Sequence, residues 1–302
     1  MKKLFLNLKF IKIISVLITI AVVSGLSFAS AAEIPAKAEL KQGVNVNANT
    51  KASVDWSNLS EGSISVKYTG GKDVRIKVQI AKSGGVTYTY DLNNAGNYET
   101  FPLVEGDGTY TVKVYENSSG TKYATVFSTA VDMTLRNEFL PFLYPNQYVN
   151  YSDDSKVTAK AIELTEGLDT DIDMLSAVYN YVVNNFTYDY EKLNTVQSGY
   201  LPDVDEILES KTGICFDYAA VMTAMLREEG VPCKLVIGYA GTIYHAWVNV
   251  YIQGKGWIDK AIYFDGEDWK LMDPTFASSG KSSPAIMQYI ANTANYMQKY
   301  AY

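Results

Sequence analysis

From Asn45 to about Met133, apolar and polar residues alternate with a period of two, the spacing that buries one face of an extended chain and wets the other. Residues 63–68, 74–80, 86–90 and 109–115 each read as half-buried strands. Gly70-Gly71, Ser83-Gly84-Gly85, Asn93-Asn94-Ala-Gly96 and Glu105-Gly-Asp-Gly108 supply the turns between them. Strands of this length and spacing predict an antiparallel sandwich over residues 32–133. Residues 134–153 break the alternation. Pro141, Pro145 and five aromatic residues stand there in irregular order, too apolar for a free linker, and predict a crossing segment that packs.

Beyond residue 154 the period becomes helical. Residues 155–167 form one expected helix, and Thr170 is placed to cap a second, whose Ile172, Leu175, Val178, Tyr179, Val182 and Phe186 make an apolar stripe. A strong helix opens at Gly213-Ile-Cys215-Phe-Asp-Tyr218, runs through Ala219, Ala220, Met222, Ala224, Met225 and Leu226, and stops at Gly230. Residues 244–252 alternate again: Ala246, Val248, Val250 and Ile252 share an apolar face, and His245, Trp247, Asn249 and Tyr251 a mixed one suited to a cleft wall. A hairpin is expected around Asp265-Gly266. The tail from Pro284 places Met287, Ile290, Ala291 and Ala294 at helical spacing and is expected to pack back on residues 154–302.

The first 31 residues read as an address. Lys2, Lys3, Lys9 and Lys12 precede an apolar run from Ile13 to Phe28, and Ala29-Ser30-Ala31 resembles a cleavage site, which predicts an exported protein, secreted or held at the cell surface. No later segment is apolar enough to span a bilayer. The whole chain of 302 residues carries 26 basic and 33 acidic side chains, net −7; losing the four lysines of the leader leaves 22 basic and a net charge of −11. Such a surface is a poor partner for nucleic acid.

Scarcity narrows the chemistry. The chain holds one histidine, His245, and two cysteines, Cys215 and Cys233, so no zinc finger, HExxH site or disulfide framework can be assembled. Asp169, Asp171 and Asp173 imitate the start of a calcium loop, but Met174 stands where glycine is required and Asn180 where a bidentate Glu is required; acidic residues at a helix N-terminus explain them better. Gly280-Lys281-Ser282 lacks the earlier glycine of a phosphate loop, Thr275 being in its place. No metal or cofactor is expected.

Cys215 falls at a helix N-terminus, where the macrodipole and unpaired N–H groups favour a thiolate and can also face an oxyanion. Cys233 lies in an apolar strand entrance and reads as a packing residue. A helix of fourteen residues between them, about 21 Å long, keeps them too far apart for a disulfide. Any nucleophilic scheme must use His245 as its base, and an acidic residue at a strand end could hold the imidazole tautomer.

Gly213-Ile-Cys215-Phe-Asp-Tyr-Ala219, Gly230-Val-Pro-Cys-Lys-Leu-Val-Ile-Gly-Tyr239, His245-Ala-Trp-Val-Asn-Val-Tyr251 and Asp273-Pro-Thr275, in that order, resemble the bacterial transglutaminase-like superfamily. The resemblance extends upstream to about Ile172 and covers a little under half the chain. It implies an α+β, papain-like catalytic domain over 154–302, preceded by an all-β sandwich of immunoglobulin or fibronectin character. It also implies a Cys215, His245, Asp273 triad of nucleophile, base and orienting carboxylate. Two features depart from the pattern. His245 and Asp273 are separated by an extra hairpin, which makes Asp259 a rival third member. No tryptophan lies between Trp56 and Trp247 to support an oxyanion; Tyr188 could substitute through its hydroxyl but reads first as a core residue.

The chemistry so implied is attack of a thiolate on an amide, giving a thioester. Water then makes the enzyme a peptidase or amidase, the favoured outcome, and a lysine amine makes it a cross-linking transglutaminase. A surface scaffold or adhesin that keeps the fold without catalysis is the third reading. The expected partner is a protein or peptide substrate, those of the cell envelope included.

Overall fold

Alternation in the first part of the chain resolves into eight strands: β1 (Val46–Ala48), β2 (Ala52–Asp55), β3 (Ser63–Tyr68), β4 (Ile76–Lys82), β5 (Thr87–Leu92), β6 (Glu99–Pro102), β7 (Gly108–Ser119) and β8 (Lys122–Met133). The structure, a computed structural model, describes residues 33–259, 262–264, 269–271, 275 and 295–302. The leader 1–31 and the tail segment from Pro284 through Ala294 lie outside the described residues. Two four-stranded antiparallel sheets form, in the orders β1-β2-β3-β6 and β5-β4-β7-β8. Ile64, Val66 and Phe101 of the first and Ile76, Val78, Val112 and Val114 of the second are buried in one core cluster, as alternation requires. Four strands were not marked by the pattern. β2 is buried at all four positions and so shows no alternation, β8 is a largely exposed edge strand, and β1 and β6 have three and four residues.

Asp55, Glu61 and Glu116 are the buried charged residues of this region, and Glu116 is the most heavily paired. Glu116 of β7 accepts the Tyr68 hydroxyl at 2.6 Å and pairs with Lys51 and Lys72 at 2.9 Å each. Burial works against its charge, but the tyrosine and the two lysines prevail and hold the carboxyl at about 2, below its ordinary 4.5.

The crossing segment packs, as its composition requires. Phe139 stacks on Tyr251 with ring centroids 4.2 Å apart, and Phe142 meets Trp257 at 5.3 Å. The second part of the chain supplies α1 (Lys156–Thr165), α2 (Asp171–Asn185), β9 (Thr187–Tyr188), α3 (Tyr190–Thr195), α4 (Val204–Ser210), β10 (Thr212–Gly213), α5 (Cys215–Glu228), β11 (Cys233–Ala240), β12 (Ile243–Ile252), β13 (Gly256–Ile258), β14 (Ile262–Phe264), β15 (Trp269–Leu271) and β16 (Tyr296–Ala301). Thr170 caps α2 by accepting the Asp173 N–H at 3.2 Å, and Leu175, Val178, Tyr179, Val182 and Phe186 of the stripe are buried. β14 and β15 pair as the hairpin expected around residue 265. The central sheet is antiparallel, in the order β13-β12-β11-β16. The end of the tail is thus a strand on the open edge of β11, not a continued helix; its aromatic residues suit a pleated edge.

Residues 32–302 make one compact unit. Much of its seam is tyrosine. Tyr88 and Tyr90 of β5 lie against Tyr302 at 5.6 and 5.9 Å, and Tyr148 of the crossing segment touches both Tyr90 and Tyr302. Burial pushes the phenols of Tyr88, Tyr90, Tyr148 and Tyr302 upward, so they remain neutral donors. The other fastening is Arg227, fully buried near the C-terminal end of α5. Its guanidinium donates to the carbonyls of Cys233 at 2.9 Å, Tyr144 at 2.7 Å and Tyr302 at 2.7 Å.

Two outcomes are expected. The carboxyl of Glu116 is depressed in the folded state, so its contribution is present above about pH 4.5 and lost as pH falls toward 2; acid unfolding followed by circular dichroism therefore shows a slope in that window that Glu116→Gln flattens. Arg227→Leu strands three buried carbonyls and lowers stability by about 3 kcal/mol or more in urea unfolding. Arg227→Lys restores little of it, because a single ammonium lacks the planar fork that reaches all three.

Candidate active site

Cys215 is the first helical residue of α5, at the helix N-terminus expected from the sequence. Ile214, the N-cap, has an extended backbone and no polar side chain to cap with. Asp217 does that work from within the first turn: its Oδ2 accepts the Ile214 N–H at 2.9 Å. Gly213 makes the fold-back possible, since a Cβ there would lie 2.6 Å from the Asp217 Cβ. From Asp217 to Arg227 every residue is buried, and Cys215 stands at the half-buried end of this rod. The first N–H groups of the helix have no intrahelical partners.

Asp217 is itself wholly buried and fully engaged. Tyr200 donates its hydroxyl to Oδ1 at 2.7 Å, and Lys192 of α3 pairs with Oδ2 at 2.7 Å. The same ammonium donates to the Tyr200 hydroxyl at 2.6 Å and lies 4.3 Å over its ring. Burial, then the bond to Asp217, pushes the Tyr200 phenol far upward. On their outer side Lys192 and Tyr200 line a cleft of about 530 Å³ with Asp189, Glu191, Asp203 and Glu206.

His245 stands on β12, 4% exposed, opposite Gly238 of β11. Its ring stacks on Trp247, centroids 6.3 Å apart and planes 24° from parallel. The mixed face predicted to wall a cleft is covered instead: Trp247, Asn249 and Tyr251 are all buried, under Tyr296, Phe139 and Trp257. Cover supplied by distant segments leaves no trace in the periodicity of the strand. Gly238 permits part of this closure, for a Cβ there would sit 2.1 Å from the Met297 carbonyl and 2.8 Å from the Trp247 ring.

The helix α5 and this strand pack together. Ala246, Val248, Val250 and Ile252 share a core with the buried residues of α5. The phenol of Tyr244, next to His245 in sequence, is pushed up by burial and further by the charges of Tyr300, Tyr239 and Cys215.

The remaining residues singled out from the sequence divide clearly. Asp273 lies outside the described residues, as do Asp265 and Asp268. Asp259 accepts the Asn249 side-chain amide at 3.1 Å, and Asn249 accepts the Trp247 indole N–H at 3.1 Å. Asn249 is four residues from His245, about 13 Å along a strand, so this bond draws Asp259 toward the far end of β12. Tyr188 packs on Tyr190 and Tyr218, at 5.0 and 6.3 Å. Cys233 is buried, donates to Thr223 at 3.6 Å, and has its thiol pushed up to about 11 by burial. Asp171 accepts the Gln253 N–H at 2.8 Å, and Thr170 donates to Asp173 at 2.7 Å. Among the described residues no group of three or more His, Cys, Asp or Glu side chains could hold a metal ion.

Sequence reasoning passed over Asp217, Lys192 and Tyr200. Asp217, three residues after the cap, carried the spacing of half a capping box and could have been found. The other two reach it only through the tertiary fold.

Residues 158–260 match the model of the transglutaminase-like superfamily, a span that includes Cys215, His245 and Asp259 and ends before Asp273. The uncharacterized protein YebA of Bacillus subtilis is 28% identical over 193 residues, 56% of this chain and 23% of that protein. The UPF0252 protein MJ1282 of Methanocaldococcus jannaschii is 25% identical over 226 residues, 67% of this chain and 62% of that protein. The chain thus spans under two thirds of the length of either. The crystal structure of a proposed cysteine protease from Cytophaga hutchinsonii aligns over 79% of this chain and 78% of its own, at 14% identity and a TM-score of 0.40. Within this chain, residues 158–260, with a cysteine opening a buried helix and a histidine on the adjoining strand, are similar to a transglutaminase-like core and have an α+β fold.

Proposed function

We propose that this protein is an exported cysteine-dependent amide hydrolase, a peptidase or amidase working through Cys215, His245 and Asp273. The observation that carries the reading is the half-buried Cys215 as first residue of a buried helix that packs against the strand of the chain's one histidine. Cys233, the other thiol, is sealed in the core.

The reaction runs in two halves. The Cys215 sulfur, its proton passed to His245, attacks the amide carbonyl carbon, and the oxygen takes up the negative charge. Backbone N–H groups at the start of α5 are placed to stabilise that oxyanion. The carbon–nitrogen bond then breaks, His245 returns the proton to the leaving amine, and a thioester remains. His245 next takes a proton from water, the hydroxide attacks the thioester, and the Cys215 sulfur leaves, taking its proton back from His245 as the free acid is released. Asp273 orients the imidazole throughout by accepting its other N–H. The expected substrate is a protein or peptide, including those of the cell envelope.

A paired assay tests this. Wild type and Cys215→Ala are screened against peptide libraries for hydrolysis and for incorporation of a labelled amine. Hydrolysis by wild type, reduced at least about a thousandfold in Cys215→Ala, is the expected result. Amine incorporation without hydrolysis would make the protein a cross-linking enzyme instead. Inactivity in both assays would leave the fold as a scaffold for interaction.

A further inference from the structure

Asp217 poses an electrostatic problem for the chemistry proposed above. A carboxylate in the first turn of α5 favours the helix, but it also brings a negative charge two residues from a sulfur that must become negative. Asp217 is wholly buried, so water does not screen it. The structure supplies a counter-charge from outside the helix: the Lys192 ammonium 2.7 Å from Asp217 Oδ2, braced by the Tyr200 hydroxyl that bonds to both.

We infer that Lys192 and Tyr200 are positioning residues for the nucleophile, neutralising Asp217 so that the carboxylate can anchor the start of α5 without opposing a thiolate at Cys215. The inference rests on the catalytic reading of Cys215. The division of labour follows from the geometry. Asp217 closes the helix start through the Ile214 N–H. Lys192 balances its charge, and Tyr200, a neutral donor, holds the ammonium and the carboxylate in register. Among the described residues, the charged and titratable groups on the elements that meet here are Asp217 on the thiol's own helix, its partners Lys192 of α3 and Tyr200 of the following loop, and, on β12, His245 and Tyr244, whose phenol is raised in part by the charge of Cys215. Asp203 and Glu206 act on Tyr200 from the outer side. Of these, Lys192 is the cation that the structure pairs directly with Asp217.

The signature of such a pair is a shift whose sign depends on which partner is removed. The rate of Cys215 alkylation by iodoacetamide is measured against pH on the whole protein, with the labelled cysteine identified by peptide mass. Lys192→Met exposes the thiol to an uncancelled carboxylate, so half-maximal alkylation moves up by about one pH unit and the rate near pH 6 falls about tenfold. Asp217→Asn keeps the size and the acceptor for Ile214 and moves the midpoint down. The double variant returns it close to wild type, and Lys192→Arg preserves it. Midpoints that stay put in Asp217→Asn, or move the same way in both single variants, overturn the inference. Should Lys192→Met fail to fold, Asp217→Asn and the double variant decide alone. A wild-type Cys215 that alkylates like any ordinary thiol would instead count against the catalytic reading, while the signs of the two shifts still judge the charge pair.

Discussion

Everything in the second half of the molecule is arranged around a helix buried on all sides. From Asp217 to Arg227 the rod α5 shows no face to solvent, so its position is dictated by packing against α1, α2, α4, β11 and β12. Each fully buried Val, Leu or Met side chain along it contributes about 1.5–3 kcal/mol, more than the helix dipole supplies at either end, about 0.3–1 kcal/mol for an ordinary site. Packing therefore fixes the helix, and its two buried charges fix its ends. Asp217 lies in the first turn and Arg227 in the last, each with the sign that the dipole favours. Neither is left to itself: the carboxylate is met by Lys192, Tyr200 and the Ile214 N–H, the guanidinium by three carbonyls. A thiol on the first residue of such a rod is held where the rod is held.

That constraint extends to the rest of the chain through Arg227. One side chain binds the helix to the start of β11, to the crossing segment and to the residue after β16. The tyrosine cluster lies along the same seam, so the sandwich is joined to the core by aromatic contact, to which the crossing segment adds polar bonds from Gln147 to Asp91 and Glu99 and from Tyr144 to Glu61. Tyr148 also packs on Phe216, the residue after Cys215, at 5.3 Å. The β-rich region thus connects through Tyr90 and Tyr148 to Phe216, the neighbour of the thiol residue.

How much of this was readable beforehand depended on whether the cause was local. The strand 63–68 declared itself by alternation and the second helix by Thr170 and its stripe, because capping and periodicity are properties of neighbouring residues. Cys215 and His245 stood out through scarcity, and Cys233 through its apolar setting. The failures were non-local. β2 is buried on both faces and β8 is exposed, so neither alternates visibly. The odd-numbered side of β12 has the mixed composition of a cleft wall and is nevertheless buried, since Phe139 and Tyr296 arrive from segments far away in sequence. Lys192 and Tyr200 converge on Asp217 across 25 and 17 positions, a meeting that spacing cannot announce.

The central claim is that Cys215 forms a covalent bond to the acyl group of its substrate, with His245 as its proton carrier. The most direct measurement is mass spectrometry of acid-quenched mixtures of the protein with an activated peptide ester, wild type beside His245→Ala. Expected is an acyl adduct on the peptide containing Cys215, formed within the first turnover and sharply reduced in His245→Ala. An adduct on Cys233, or equal acylation of Cys215 with and without His245, would contradict it.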